Sequence, residues 1–69
     1  MVQLLTVEEI MAGDSIITHV GDIHVGYRVI EKAAVEAING REQVLFSCER
    51  GKKFYLLEGN RYLVERKEA

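Results

Sequence analysis

The chain has 69 residues, is 48% hydrophobic and 29% charged, and carries a net charge of −2. That describes one small globular domain and excludes a disordered polyelectrolyte. A single cysteine excludes an internal disulfide, and no apolar run approaches the roughly 20 residues a membrane helix needs. A core this small gives marginal stability, so oligomerisation, a dimer first of all, or a bound partner is expected to supplement it. The lone Cys48, with no signal peptide in the sequence, points to a reducing, cytoplasmic setting. The charge is uneven: residues 1–34 sum to −3 and residues 35–69 to +1, which leaves room for a local basic patch.

In chain order, Met1–Leu5 reads as a short edge strand or extended lead-in. Thr6-Val7-Glu8-Glu9 is a capping box, in which the Thr6 hydroxyl accepts from the Glu9 amide and the Glu9 carboxylate reaches back. Leu5 and Ile10 stand where a hydrophobic staple packs, and Gly13 is a helix-ending residue. These signals predict a one- to two-turn helix over Val7–Ala12, docked through Leu5, Ile10 and Met11. Asp14–Val20 is a β-rich run, and Gly21-Asp22 form the tip of a turn. Val25, Tyr27 and Val29 alternate with Gly26 and Arg28 as a strand does.

Ile30–Arg41 supports two readings. As a helix it offers an Ile30, Ala34, Ile38 stripe ending at Asn39-Gly40. As a strand, Ala33, Val35 and Ala37 alternate with Lys32 and Glu36, and Asn39-Gly40 becomes a two-residue hairpin turn. The hairpin is preferred because it gives the following strand a neighbour on each side. It pairs 30–38 with 41–49, with Val35 opposite Val44 and Ala33 opposite Phe46.

Val44–Leu57 organises the rest of the chain. Two strands meet at Glu49-Arg50-Gly51, read as two right-handed residues followed by Gly51 in the left-handed well. In that register Cys48 faces Lys52, Phe46 faces Phe54, and Val44 faces Leu56. One face is then almost wholly apolar, and the other carries Leu45, Ser47, Lys53, Tyr55 and Leu57. After the turn at Glu58-Gly59-Asn60, Tyr62–Val64 forms a last strand, and residues 65–69 form a charged, frayed tail.

A short helical turn, then Gly13-Asp14-Ser15-Ile16, Gly26-Tyr27-Arg28-Val29, an Asn39-Gly40 hairpin and a turn at Gly51 make up the sequence's turn pattern. This order resembles the small SH3-like barrels of short bacterial and phage-encoded proteins. The resemblance implies a mainly β fold, a five-stranded SH3-like barrel with a short N-terminal helix in one domain over residues 1–69. The alternative is an α+β domain with a helix at 30–38. Such barrels bind nucleic acids, peptides and proteins alike, so the resemblance speaks for a fold.

No nucleophile–His–carboxylate set, glycine-rich phosphate loop or carboxylate pair suggests catalysis, and no cofactor or small-molecule substrate is expected. His19 and His24 bracket a turn containing Asp22. These are ligand types for zinc, but their spacing is no metal signature, a fourth ligand is missing, and no metal is assigned. Cys48 lies on the apolar face and reads as a structural thiol.

Two surfaces are candidates for binding. Leu45, Tyr55 and Leu57, with Tyr62 and Leu63, are more apolar than a solvated face requires and suggest a protein-binding surface or an inner barrel face. Arg50, Lys52 and Lys53, with Arg28 and also Arg41 or Arg61 near them, offer phosphate contacts beside Tyr55. The expected function is a non-enzymatic protein–protein interaction module, such as a small phage or bacterial regulator or inhibitor. The alternative is a nucleic-acid-binding barrel that uses the 50–53 turn.

Overall fold

The computed structural model describes residues 1–67. The domain is mainly β, with strands β1 (Val2–Leu5), β2 (Ser15–Val20), β3 (Ile23–Ile38), β4 (Arg41–Cys48), β5 (Lys53–Leu57) and β6 (Tyr62–Glu65). They form one antiparallel sheet in the order β1-β6-β2-β3-β4-β5. There are six strands where five were expected, because residues 2–5 pair fully with the C-terminal strand. β1 and β5 are the two edges, and no ladder joins them among the described residues. No helix among those residues is long and apolar enough to cross a membrane.

The helix predicted over Val7–Ala12 is a single hydrogen-bonded turn. The amides of Glu9 and Ile10 both donate to Thr6 O at 3.1 Å, and the chain then breaks away because Met11 N turns to Asp14 Oδ2 at 2.9 Å. Only half of the expected capping box forms: the Glu9 carboxylate reaches back, but the Glu9 amide donates to the Thr6 carbonyl and not to its hydroxyl. Thr6 N donates to Glu9 Oε1 at 3.0 Å and the Thr6 hydroxyl at 3.1 Å, which holds the Glu9 carboxyl below its usual range. Leu5 and Ile10 dock as expected, but the third anchor is Val7, 1% exposed, while Met11 stays exposed.

Residues 30–38 are strand, not helix. Asn39 and Gly40 both take positive φ (51° and 75°), as a type I′ turn requires, and Ile38 pairs with Arg41. The expected register does not survive beyond that turn. Irregularities between Val35 and Ile38 and between Val29 and Glu31 shift the ladder, so Ala34 faces Val44 and Lys32 faces Phe46. One extra residue reverses every side chain beyond it, which turns Ala33 and Val35 outward. Lys32 shares the Phe46 side of the sheet but is exposed, and its ammonium donates to Ile10 O (2.7 Å), Val7 O (3.2 Å) and Glu8 O (3.3 Å), carbonyls of the preceding turn. The second bulge leaves Ile30 unpaired and exposed, at the point where β3 passes from β2 to β4.

The β4–β5 register is as the hydrophobic pattern requires: Phe46 opposite Phe54, Val44 opposite Leu56, Leu45 opposite Tyr55. The loop differs in one residue, since Arg50 (φ 62°) joins Gly51 (φ 71°) in the left-handed region. Phe46, Ile10 and Val64 are fully buried, and Leu5, Val7, Ile16, Val29, Val44 and Cys48 surround them. The core thus draws on every strand except β5, whose Phe54 and Leu56 pack against it half-buried.

The C-terminal tail is anchored through residue 66; residues 68–69 lie outside the described residues. Glu65 ends β6, and Arg66 forms a forked pair with Asp14, Nε to Oδ1 at 2.9 Å and Nη2 to Oδ2 at 2.8 Å. Arg66 Nη2 also reaches Glu9 O at 2.8 Å. Asp14 is the only buried polar side chain among the described residues, 4% exposed. The Arg66 hydrogen bonds, with a further one from the Met11 amide, hold its carboxyl below the ordinary value of 3.8 against the opposing effect of burial. A folded-state pKa below the unfolded one stabilises the fold fully above the unfolded value, and the gain is lost as pH falls through the folded one. Asp14→Asn should therefore cost about 2 kcal/mol, a fall in Tm on the order of 10 °C for a domain this size, at pH 7. The gap to wild type should narrow as the pH falls below 3.8, the ordinary value, as read by thermal melts across pH; equal melting at pH 7 would refute the assignment.

Candidate functional site

Strands β3, β4 and β5 build a three-by-three grid of outward side chains. Its rows are Glu31–Ser47–Lys53, Ala33–Leu45–Tyr55 and Val35–Gln43–Leu57. The middle row is apolar, and the third is apolar at both ends. Ala33 is too small to cover Leu45, so Tyr55, 59% exposed, stands over an open apolar floor. Ala33 and Val35 were missed in the sequence. The bulge that turns them outward leaves no local signature, because it depends on Lys32 finding carbonyls more than 20 residues away.

The grid ends at a free strand edge. Cys48 N donates to Lys52 O at 2.8 Å and Glu58 N to Glu42 O at 2.9 Å. Antiparallel alternation then makes Phe46–Phe54 and Val44–Leu56 the hydrogen-bonded pairs, so the backbone groups of Lys53, Tyr55 and Leu57 point away from β4. The Tyr62 hydroxyl occupies both groups of Leu57, accepting from its N–H at 3.1 Å and donating to its carbonyl at 3.4 Å. Tyr55 and Lys53 have no such partner among the described residues.

Three of the four predicted partner-binding residues, Leu45, Tyr55 and Leu57, therefore share one face. Tyr62 does not: it packs inward against the core, and its hydroxyl terminates the β5 edge. Leu63 lies on β6 opposite Leu4, in the other half of the sheet.

The basic residues divide. The Arg50 guanidinium sits 4.9 Å over the Tyr27 ring and donates to Gly26 O at 3.1 Å. Lys52 Nζ lies 5.5 Å from the Tyr27 centroid and 5.3 Å from that of Phe54, and these two rings meet edge to face at 5.8 Å. Lys53 points to the opposite face, in the grid. Arg28 pairs with Glu49 at 3.5 Å across solvent. Arg41 lies at the other end of β4, where its guanidinium binds Glu58 O and Asn60 Oδ1. Arg61 stands 3.9 Å from Glu9. The expected basic patch is thus reduced to Arg50 and Lys52 on an aromatic pair, with Arg28 beside them and partly neutralised.

A concavity of about 380 Å³ opens where Ala34 faces Val44, bordered by Val7, Glu8, Lys32 and Glu42. Cys48 is buried, its thiol directed to Phe46 O at 3.9 Å, and burial followed by the Glu49 charge pushes its pKa up. His19 and His24 face each other across β2 and β3, at the exposed tip of that hairpin. No family model, curated protein or solved structure matches the chain.

A neutral, enclosed thiol does not react. Native protein should resist a thiol-specific reagent at pH 8 at least a hundredfold longer than the urea-unfolded chain. Modification of the native protein at the unfolded rate would overturn that reading.

Proposed function

We propose that the chain is a non-enzymatic protein-binding module that takes an extended segment of its partner along the β5 edge. The observation that carries this is the pairing of the exposed Ala33–Leu45–Tyr55 row with outward, unpartnered backbone groups at Tyr55 and Lys53. An added strand hydrogen-bonds such an edge, and alternate side chains of the added strand read the face beside it. Lys53 is the only charged side chain of β5, so an apolar segment with an acidic residue suits the edge. Tyr62 limits the addition at Leu57, which sets one end of the register. In the small SH3-like barrel reading, β1 and β5 are the lips of a curled sheet, and the partner strand lies on one of them. A cytoplasmic regulator or inhibitor of bacterial or phage type is a function of this class.

The second reading is nucleic-acid contact at Arg50 and Lys52. It is favoured by their convergence on Tyr27 and Phe54, since cations beside aromatic rings suit both phosphate and base.

Immobilised protein, offered a lysate of its source cells with and without nuclease, separates the two. Wild type should retain a protein in the presence of nuclease. Tyr55→Pro should lose it while keeping the fold, because the Tyr55 N–H is not used by the β4 ladder. Leu45→Lys should lose it as well. Retention undiminished in both variants would refute the β5 edge. Retention abolished by nuclease, with heparin binding that Lys52→Ala removes, would establish the second reading instead.

A further inference from the structure

The β2–β3 hairpin runs past the rest of the sheet: the pairing of β2 with β6 ends at Ile16–Val64, and the residues beyond it pair only with one another. Its phase is set at its base, where Val29 N donates to Asp14 O at 2.8 Å. Counting outward from that hydrogen-bonded pair, Ser15–Arg28, Ile17–Gly26 and His19–His24 are the non-hydrogen-bonded pairs. In such pairs the Cα atoms come within about 4.5 Å and the side chains stand closest. The two imidazoles accordingly meet with ring centroids 4.2 Å apart at an interplanar angle of 61°.

Three features of this pair go beyond packing. Both rings are exposed to solvent. The arm's side-chain hydrogen bonds among the described residues are Thr18 Oγ1 to Val25 O and, at its base, Arg50 to Gly26 O, and neither involves an imidazole. Residues 17–25 contain no Lys or Arg, and their single charge is the Asp22 carboxylate in the turn, so a cation meets no repulsion there.

We propose that His19 and His24 form a two-imidazole chelate for a borderline divalent transition metal of the zinc, nickel and copper class. Two nitrogens bound to one such ion at 2.0–2.1 Å lie about 3.3 Å apart in tetrahedral geometry, a separation that rotation about the side-chain bonds brings within reach of rings already 4.2 Å apart. Imidazole selects this class over magnesium and calcium. No group of three or more His, Cys, Asp or Glu converges on one ion among the described residues, so water completes the coordination and the site is open. Adjacent strands hold both ligands before the metal arrives, so it fixes little further motion and clips the arm together.

The test titrates the full chain, free of any polyhistidine tag, with Zn²⁺ and with Cu²⁺ by calorimetry, and follows the imidazole signals by NMR. Wild type should take one ion per chain, with both rings shifting together and a Tm that rises with metal. His19→Ala and His24→Ala should each weaken binding at least tenfold and abolish the rise in Tm. Both positions are exposed, so both variants should keep the wild-type circular dichroism. Cys48→Ser should bind as wild type does. Equal affinity in wild type and either His variant would overturn the proposal, as would binding that depends on Cys48.

Discussion

The buried carboxylate of Asp14, paired with Arg66, locks the start of β2 to the end of β6, where Ser15 already pairs with Glu65. Asp14 follows the Thr6–Ile10 turn and precedes β2; Arg66 follows β6, 52 residues later. Through one carboxylate and its backbone, the pair fixes the Met11 amide, the Val29 amide and the carbonyl of Glu9 by way of Arg66. Without Arg66 the carboxylate would be a buried charge with no counter-ion and only the Met11 amide as a donor, which is costly in a core this small. Paired, it closes the β1–β6–β2 side of the sheet over Val7 and Ile10 and gives an otherwise open architecture a seam.

Lys32 does the same work on the other side. Lys32 stands exposed on the same side of the sheet as Phe46, and its ammonium reaches three carbonyls of residues 7–10. These bonds hold the turn onto β3 and sustain the bulge that turns Ala33 and Val35 outward. The candidate binding face is therefore a consequence of how a lysine on the Phe46 side of the sheet is bonded. The two edges also differ in kind: β5 offers Lys53 and Tyr55 backbone groups beside an apolar floor, and Tyr62 closes it at Leu57. This asymmetry gives the docking edge its direction.

Arg50 and Lys52 show how a sequence patch loses meaning in three dimensions. Four consecutive residues, Arg50-Gly51-Lys52-Lys53, read as one basic loop, yet Lys53 begins a strand and alternation sends it to the opposite face. Arg50 and Lys52 spend their charge on the Tyr27 and Phe54 rings. His19 and His24 move the other way: five residues apart in sequence, with Gly21-Asp22 between them, they become direct neighbours once the two-residue turn sets the pairing.

What the sequence determined by itself was local. Asn39-Gly40 demanded positive φ at both turn positions, the Glu9 carboxylate reached back to Thr6 across three residues, and the alternation of Val44, Phe46, Phe54 and Leu56 set the β4–β5 register; each depends only on neighbours within one turn or one hairpin. The tertiary structure decided what depended on distant partners. The capped segment stopped after one turn because Asp14 took the Met11 amide. Residues 30–38, whose Ala, Glu and Lys content suits a helix, became strand because β4 pairs along them. The turn of Lys32 to the Phe46 side, the inward packing of Tyr62 and the anchoring of Arg66 each answer a carbonyl, an edge amide or a carboxylate supplied by another strand or turn. A chain's local pattern can specify where it turns, but which side chain satisfies a buried polar group is settled only when the elements meet.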